Sequence, residues 1–350
     1  MSKLARARSL TVATTLALLV TACGSQAVPT GATGSGSSEK SSEPLVIYSG
    51  RNENLVGGIL SELETAVGSK VEVRYGSTAE LAAQLLEEGS KTKADLYFSQ
   101  DAGALAAVGR AGLLAPLESP LTERVLPEYV DEGGLWVATT ARARVIVYDP
   151  RSAPEVAQFT RIDQVLDPKY KGKVGVAPTN ASFQAFVTAL RLQKGAEAAR
   201  EFLVKLKANA KVYDGNGAIV EATNAGELSM GLVNHYYLHQ LIAEQGPNAV
   251  KAKNKFLDNS ADPGSLINVA GVGVIKDSPQ TGAAVKAVAF LLKPSSQEYM
   301  VKATSEYPVV TGIAGPTGAP PVSQLEGAGV DLNQLGDLQP TLAMIDEVFN

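Results

Sequence analysis

Short apolar runs alternate along this chain with longer segments in which apolar residues recur every three or four positions. The short runs are rich in β-branched and aromatic side chains and predict strands, and the longer segments predict helices. The predicted strands cover residues 45–48, 71–75, 94–98, 144–148, 173–177, 211–213, 230–233 and 271–275. The predicted helices cover residues 55–66, 78–88, 100–108, 180–194, 196–208, 218–225 and 280–292, with others after residue 234 and over 335–349. This order of elements predicts an α/β fold in which a mainly parallel sheet carries helices on both faces.

Polar segments follow several of these strands directly. In open α/β sheets, ligands bind beyond the carboxyl ends of the strands. The segments concerned are 49–54, 76–79, 99–102, 178–182, 214–217 and 234–237, and they are rich in Ser, Thr, Asn, Gly or Tyr. Hydroxyl groups and helix N-terminal amides at such places favour a polar or anionic ligand.

The first residues have the layout of a secretory signal. A basic start, with Lys3, Arg6 and Arg8, precedes an apolar run that is shorter than the roughly 20 residues of a membrane span. Val20-Thr21-Ala22-Cys23 resembles the lipobox of bacterial lipoproteins, in which the cysteine is diacylated and becomes the first mature residue. The alternative is an ordinary cleaved signal with an incidental cysteine.

We therefore expect a signal peptide over residues 1–22 and a lipid-anchored flexible linker over residues 23–44. Cys23 is the only cysteine, so an intrachain disulfide is excluded and acylation explains its presence. Residues 24–44 are dominated by small and polar residues, which cannot build a core. The expected location is the extracytoplasmic face of the cell membrane, with the lipid as anchor.

Composition narrows the possible functions. The formal net charge is −5, and loss of the three basic residues of the signal would make it −8, which argues against a nucleic-acid partner. The roughly 306 residues that remain exceed a single typical core, so two lobes are expected. No Gly-x-Ser-x-Gly, phosphate-binding loop or His-Glu-x-x-His motif occurs, and two histidines leave few acid–base options. We do not expect an enzyme.

An ordered set of motifs from about residue 45 to residue 312 resembles the bacterial ferric-ion-binding proteins, the solute receptors of iron-importing ABC transporters. The motifs are Tyr48-Ser49-Gly50, Gly89-Ser90, Ala94-Asp95, Tyr97-Phe98-Ser99, Ala143-Arg144-Val145-Ile146-Val147-Tyr148-Asp149, Tyr170-Lys171-Gly172-Lys173-Val174, Pro178-Thr179, Asn234-His235-Tyr236-Tyr237, Asp262-Pro263-Gly264 and Glu306-Tyr307-Pro308. The resemblance implies a two-lobed periplasmic-binding-protein fold whose lobes are joined by hinge strands, with the ligand in the cleft. We expect lobe 1 over 45–142 plus 268–315 and lobe 2 over 143–267 plus 316–350.

The resemblance implies that Tyr236 and Tyr237 bind Fe³⁺ through their phenolate oxygens. A small, highly charged ion favours anionic oxygen and can displace the phenol proton near neutral pH. The alternative for the pair is amphipathic packing at a helix start. Neighbouring His235 and His239, four residues apart, could suit zinc, but we expect both to pack on the helix face.

The chain departs from the family pattern at two further ligand positions. Many members carry a His after the first strand and a Glu after the third, where this chain has Asn52 and Gln100. Glu53 and Asp101 lie one residue further on and are candidate substitutes, although each also fits a surface carboxylate. The site could therefore rely on two tyrosines and a synergistic anion such as carbonate, citrate or phosphate.

An anion site is expected where a helix opens after the strand at 173–177. Exposed amides and the helix dipole favour negative charge there, and the family places its synergistic anion at this point. The candidate residues are Thr179, Asn180, Ala181, Ser182, Asn216, Asn234 and Arg144. For Asn216 the alternative is turn chemistry, and for Arg144 it is a surface salt bridge.

The function that these features predict is capture of Fe³⁺ between two lobes and delivery to an ABC permease by a monomeric receptor. The alternative is the same architecture binding a phosphonate, a sugar phosphate or another small organic anion without metal. A more distant alternative is an anchored interaction protein with a filled cleft.

Overall fold

The structure, a computed structural model, describes residues 43–350, so the expected signal peptide, Cys23 and nearly all of the expected linker lie outside the described residues. The strands are β1 (Leu45–Ser49), β2 (Val71–Tyr75), β3 (Leu96–Ser99), β4 (Leu114–Ala115), β5 (Val137–Tyr148), β6 (Val174–Val176), β7 (Ala210–Val212), β8 (Met230–Asn234), β9 (Lys253–Phe256), β10 (Ile267–Ile275) and β11 (Tyr307–Pro308). The helices are α1 (Glu53–Ser61), α2 (Leu63–Val67), α3 (Thr78–Glu88), α4 (Ala102–Arg110), α5 (Ser119–Thr122), α6 (Ala181–Lys194), α7 (Ala196–Asn209), α8 (Asn216–Ala225), α9 (Tyr236–Gln245), α10 (Thr281–Leu291), α11 (Pro294–Thr304) and α12 (Gln339–Phe349). None of the helices in this described part is long and apolar enough to cross a bilayer.

The first half of the chain forms a parallel sheet to which one late strand returns. β1 lies between β2 and β3 and is parallel to both. β10 then pairs antiparallel with β3, and helices such as α2 and α10 pack beside the sheet. The apolar side chains of these strands, for example Ile47, Leu96 and Phe98, are fully buried in the same core.

β5 is the strand that both sheets share. All twelve of its residues are buried. Its first half pairs with β10 and β11, and its second half pairs with β8 and β9. Because side chains alternate along a strand, Thr140, Arg142 and Arg144 lie on one face of β5.

The second sheet is built from the middle of the chain. β8 is antiparallel to β5 and parallel to β6, and β6 is parallel to β7. The helices α6, α7 and α8 surround it, and Phe183, Phe186 and Phe202 pack edge to face in its core. Two helix-flanked, mainly parallel sheets joined by a shared strand form the two-lobed α/β fold that was predicted.

Several boundaries differ from the prediction for physical reasons. β5 begins at Val137, whereas the prediction began it at residue 144. The prediction missed the first half of the strand because Thr139, Thr140 and Arg142 interrupt the apolar pattern, although all three are buried. The predicted helix over 55–66 is observed as α1 and α2, which meet at Glu62. The helix α11 and the strand β9 have no counterpart in the prediction.

The C-terminal segment contacts both halves of the fold. Residues Leu332–Gly336 form a 3-10 turn that packs against α4, where Arg110 donates to the carbonyl of Asn333 at 2.8 Å. The last helix, α12, packs instead against α6 and α7. The C-terminal segment therefore first contacts a helix beside the first sheet and then helices beside the second sheet.

Candidate functional site

Tyr236 and Tyr237 open helix α9 directly after strand β8. Tyr236 is 2% exposed and Tyr237 is half-buried. Their rings stack, with centroids 4.3 Å apart and planes 28° from parallel. The two phenols therefore lie side by side just beyond the carboxyl end of β8, where β8 pairs with β5.

The phenol of Tyr236 is held in its protonated form. Burial raises the pKa of Tyr236 well above its usual value of 10, and the neighbouring Tyr237 and Glu306 raise it further. The guanidinium of Arg142 acts in the opposite direction and lowers the pKa. A cation that binds the phenol oxygen must therefore displace a proton that the site itself retains.

His235 anchors the start of α9 by packing. Its Nδ1 accepts from the Ala143 backbone N–H at 3.2 Å, and its Nε2 lies 3.0 Å from the Ser305 carbonyl oxygen. The ring also stacks on Tyr307, with centroids 4.6 Å apart. Burial lowers the pKa of His235 to about 3, and the nearby His239 contributes to this shift. Both ring nitrogens are thus engaged by the backbone, which leaves His235 a packing group.

Three buried arginines surround the tyrosine pair. Arg51 and Arg142 are 2% exposed and Arg144 is 3% exposed. Arg51 follows β1, whereas Arg142 and Arg144 lie on β5. Ionisation of the two phenols would raise the pKa of Arg51 and of Arg144, so both guanidinium groups lie within electrostatic reach of the pair.

Glu306 is the carboxylate that pairs with this group. Arg51 Nη1 donates to Glu306 Oε1 at 3.0 Å and Arg51 Nη2 donates to Oε2 at 2.7 Å. The hydroxyl of Thr140 donates to Oε2 at 2.6 Å. Burial alone would raise the pKa of Glu306, but Arg51 and Arg142 and these hydrogen bonds lower it, so the group remains a carboxylate.

Each of the three arginines keeps at least one nitrogen without a partner among the described residues, and in Arg51 this is Nε. Arg142 Nη2 donates to the carbonyl of Gln100, but its Nε and Nη1 have no partner among the described residues. Arg144 donates to Ser182 Oγ at 3.2 Å and to the carbonyl of Leu232 at 2.8 Å, and its Nε has no described partner either. Burial lowers the pKa of Arg144 to about 9, so it is still charged at neutral pH.

Four of the seven predicted anion residues form one hydrogen-bonded group at the start of α6. Asn180 is the N-cap of this helix, and its Oδ1 accepts from the Ser182 backbone N–H at 2.9 Å and from Ser182 Oγ at 2.6 Å. Asn216, the first residue of α8, donates to Ser182 Oγ at 3.0 Å. Arg144 joins them through the same hydroxyl, so the serine makes one donated and two accepted hydrogen bonds.

The remaining predicted anion residues differ in exposure. Asn234 is buried opposite Arg144 in the β5–β8 register, and its Nδ2 has no described partner. Ala181 is half-buried at the first turn of α6. Thr179 is exposed, and its carbonyl accepts from Gln184.

The predicted first-lobe ligands have other structural roles here. Asn52 is exposed and caps α1, where its Oδ1 accepts from the Asn54 backbone N–H at 3.0 Å. Asp101 caps α4 through the Ala104 backbone N–H at 3.2 Å, and its other oxygen accepts from Asn268 at 2.7 Å.

The other two candidates on this side are Glu53 and Gln100. Glu53 is exposed in a groove beside Tyr75, whose pKa is raised by burial and by the Glu53 charge. The backbone carbonyl oxygen of Gln100 accepts a hydrogen bond from Arg142 Nη2. Within residues 43–350, no group of three or more His, Cys, Asp or Glu side chains is placed to hold a metal ion.

Sequence reasoning missed Arg51, Arg142 and Glu306. The signal that marks them is charge inside otherwise apolar strand patterns: Arg142 lies two residues before Arg144, and Glu306 precedes the Tyr-Pro pair of β11. Charged residues are almost never fully buried unless they are paired, so such positions indicate a buried polar cluster.

The two-lobed α/β fold, with paired phenols and a hydrogen-bonded polar group at a helix start near the junction of its sheets, is the architecture of a solute-binding protein. The model of the bacterial extracellular solute-binding protein family matches residues 91–324, and the chain belongs to this family. It is a solute-binding protein and not an enzyme.

Relatives of this chain within the family include proteins named for ferric iron. The chain is 32% identical over 292 residues to the Fe(3+)-binding periplasmic protein of Serratia marcescens, covering 83% of this chain and 86% of the relative. It is 30% identical over 305 residues to the major ferric iron-binding protein of Neisseria meningitidis, covering 87% and 92% respectively.

Several solved structures are similar to this chain over most of its length. Iron-bound HitA from Pseudomonas aeruginosa superimposes with a TM-score of 0.81 at 30% identity, covering 87% of this chain and 99% of that one. IdiA (FutA) from Trichodesmium, in complex with iron and citrate, superimposes with a TM-score of 0.75 at 26% identity, with the same coverage. AfuA from Actinobacillus pleuropneumoniae, with fructose-6-phosphate bound, shares the fold at 18% identity and a TM-score of 0.71.

Proposed function

We propose that this protein captures Fe³⁺ through the phenolate oxygens of Tyr236 and Tyr237 and delivers it to an ABC permease. The observation that carries the proposal is the stacked tyrosine pair at the end of β8, buried among charged guanidinium groups. The ferric ion is the cargo of this receptor rather than a resident cofactor.

The chemistry of the pair suits ferric iron. Fe³⁺ is a hard, highly charged ion that can displace phenol protons near neutral pH. The surrounding arginines stabilise the phenolates that result, because opposite charges a few ångströms apart favour each other's ionised form. The high pKa of Tyr236 in the absence of metal means that weaker cations do not ionise it readily.

A synergistic anion completes the coordination in this proposal. Asn180, Ser182, Asn216 and Arg144 are joined by hydrogen bonds at the start of α6, where backbone amides and the helix dipole favour negative charge. The first-lobe carboxylate Asp101 has both oxygens engaged by α4 and Asn268, and Glu53 lies beside Tyr75. Carbonate, citrate or phosphate therefore supplies the remaining ligands more readily than a protein carboxylate does.

Closure of the two lobes traps the ligand. We assign lobe 1 to residues 45–142 plus 268–315 and lobe 2 to residues 143–267 plus 316–350, with β5 and β10 as hinge strands. The 3-10 turn Leu332–Gly336 packs on α4, so the C-terminal segment assigned to lobe 2 also contacts lobe 1.

The test is the visible spectrum of the protein titrated with ferric nitrilotriacetate or ferric citrate. Iron-bound tyrosinate gives a red-orange charge-transfer band, which should weaken in Tyr236→Phe and in Tyr237→Phe and disappear in the double variant. Tyr75→Phe, on the half-buried outer strand β2, is the matched control and should keep the band. A band that survives in the double variant would show that the iron site lies elsewhere.

The alternative is a metal-free receptor for a small organic anion such as a phosphonate or sugar phosphate. The hydrogen-bonded group of Asn180, Ser182 and Arg144 favours it, because amide, hydroxyl and guanidinium donors can bind an anion without any phenolate. Such a receptor would be stabilised against heat by its anion alone, whereas an iron receptor requires Fe³⁺.

The tether gives the receptor its location in this proposal. Acylation at Cys23 would hold the folded body close to its permease at high effective concentration. Cys23→Ala should then leave the charge-transfer band intact but impair iron uptake by cells. Uptake unchanged by this substitution would remove the lipid anchor from the proposal.

A further inference from the structure

Near its end, the chain passes from contacts with lobe 1 to contacts with lobe 2 between two consecutive residues. Gly336 packs against α4 of lobe 1, and the next residue, Asp337, is bound by Arg191 of α6 in lobe 2. Consecutive Cα atoms are about 3.8 Å apart, so the link between the two lobes has no slack at this point. We call residues 332–338 the strap.

Lobe 1 holds the strap through close contacts with α4. Arg110 Nη1 donates to the carbonyl of Asn333 at 2.8 Å. Gly103 faces the strap so closely that an added Cβ atom would lie 2.5 Å from the carbonyl oxygen of Leu335. A Cβ atom at Gly336 would in turn lie 2.8 Å from the carbonyl oxygen of Gly103. Glycine at both positions therefore permits the strap to lie directly on α4.

Lobe 2 holds the other end of the strap through α6. Arg191 Nη2 donates to the backbone carbonyl of Asp337 at 2.7 Å and to its carboxylate at 2.8 Å. Arg191 Nε also donates to Thr341 Oγ1 at 3.3 Å, and the hydroxyl oxygens of Thr188 and Thr341 lie 2.9 Å apart in the interior. The strap is thus attached to the helix whose first turn carries the proposed anion group.

The strap also lies between the two lobes. Leu335 is buried and Leu338 is half-buried, and both line a gap of about 40 Å³ between α4 and the start of α6. Ala104 lines this gap from lobe 1, and Ala181 lines it from lobe 2. A gap of this size holds a few water molecules at most, so the lobes and the strap are almost in contact here. Rotation of the lobes away from each other would widen the gap and separate the two points to which the strap is attached.

We propose that the strap keeps the lobes closed over the bound ion, and that one of its ends must detach from its lobe before the ion is released. The proposal rests on the proposed function, in which lobe closure traps iron. Arg110 and Arg191 bind the strap and act on iron retention through it, which makes them positioning residues rather than ligands.

The rate of iron release into excess chelator, followed by decay of the tyrosinate band, tests the strap. A hydrogen bond from a charged group strengthens attachment by about 10-fold. With two ends of similar strength, Arg110→Gln and Arg191→Gln should each speed release by about 5-fold. Because loss of either end frees the strap, the two effects should add to about 10-fold in the double variant, whereas independent effects would multiply to about 25-fold. Arg191→Lys, which keeps a charged donor, should release iron more slowly than Arg191→Gln.

A longer strap tests the same idea without changing any contact residue. Insertion of two glycines between Gly336 and Asp337 adds up to about 7 Å of chain, and both attachment points keep their side chains. This variant should release iron about 5-fold or more faster than the wild type. The same insertion between Pro247 and Asn248, in an exposed turn within lobe 2, is the matched control and should leave the release rate unchanged.

Thermal unfolding of the metal-free variants shows which of them are folded, and the folded ones carry the test. Wild-type release from the insertion variant, or arginine substitutions whose effects are absent or multiply, would overturn the strap and leave the proposed function intact. A wild type that gives no tyrosinate band with any ferric donor would overturn the proposed function, and the role of the strap with it.

Discussion

Arg51 and Glu306 form a bidentate ion pair in the interior, although 255 positions separate them in the sequence. Their side chains are 1% and 0% exposed, and the shorter contact is 2.7 Å. The pair joins the loop after β1 to the segment that enters β11, and Thr140 of the shared strand β5 completes the contacts of the carboxylate. It thus fastens three separate parts of the chain beside the tyrosine pair.

Removal of the carboxylate should be strongly destabilising. Glu306→Gln leaves the guanidinium of Arg51 buried without its counter-charge, and we expect a loss of about 3–5 kcal/mol in the free energy of unfolding. Equilibrium urea denaturation measures this loss. Glu347→Gln is the control, since Glu347 pairs with Arg200 on the surface and its removal should change the free energy of unfolding little. Equal losses in the two variants would contradict the role given to the buried pair.

Sequence reasoning located the part of the site that is built from local structure. The tyrosine pair and the Asn180–Ser182 segment each follow a strand and open a helix, and this local order is readable from the sequence. The Arg51–Glu306 pair depends on a long-range contact that no local pattern encodes. Sequence reasoning also left open whether Asp101 is a ligand, because its engagement by the α4 amides and by Asn268 is visible only in three dimensions.

The fold shows the same difference between elements that have a local sequence pattern and elements that depend on long-range contacts. The apolar half of β5 was predicted as a strand, but its first half carries Thr139, Thr140 and Arg142, which violate the apolar pattern of a buried strand. The two threonines can be buried because each has a hydrogen-bond partner. Thr140 donates to the carboxylate of Glu306, and Thr139 donates to the backbone carbonyl of Ala270. Where the site requires polar groups in the interior, the hydrophobic pattern stops being informative.

Acid should destabilise the protein through His235. Its pKa is about 3 in the folded protein and 6.5 without burial, so below about pH 6.5 the unfolded chain binds a proton that the folded chain does not. Stability contributed by the neutral imidazole is therefore complete above pH 6.5 and is lost progressively down to about pH 3. Urea denaturation at several pH values across this range measures the loss.

The variant His235→Gln isolates this contribution from the titration of carboxylates. It should be less stable at neutral pH, because it loses the stacking on Tyr307, but it should lose less stability on acidification than the wild type. His239→Gln is the comparison, since that half-buried ring also has a lowered pKa and should have a smaller effect. If His235→Gln and the wild type lose stability equally on acidification, His235 is not the group responsible.

Asn180 should combine a structural role with a binding role, and two substitutions separate them. Asn180→Ala removes the cap of α6 and should cost about 1 kcal/mol of stability. Asn180→Asp keeps a good cap but places a negative charge where the anion is proposed to bind. We expect it to retain stability and to weaken iron binding by about 10-fold or more.

The control for these two variants is the N-cap of α3. Ser77→Asp also introduces a negative charge at a helix start, but at an exposed capping box. It should leave the charge-transfer band close to that of the wild type, whereas stability should fall somewhat because the new carboxylate faces Glu80. Iron binding unchanged in Asn180→Asp would place the anion away from α6.

Iron affinity should fall steeply as the pH falls. Binding of iron through two phenolate oxygens must release one proton from each phenol, and burial raises the pKa of Tyr236 far above neutral. Each released proton makes the apparent binding constant change by about 10-fold per pH unit, so two protons give about 100-fold. Competition with a chelator of known proton uptake measures this dependence.

The single variants test whether both tyrosines contribute. Tyr237→Phe removes one of the two released protons, so its pH dependence should drop to about 10-fold per unit, and Tyr236→Phe should behave in the same way. The comparison uses citrate at pH values where its carboxylates stay ionised, so that proton uptake by the anion does not add to the slope. A wild-type dependence of about 10-fold, unchanged in Tyr237→Phe, would mean that Tyr236 alone binds the iron as phenolate and that the half-buried Tyr237 is a packing neighbour.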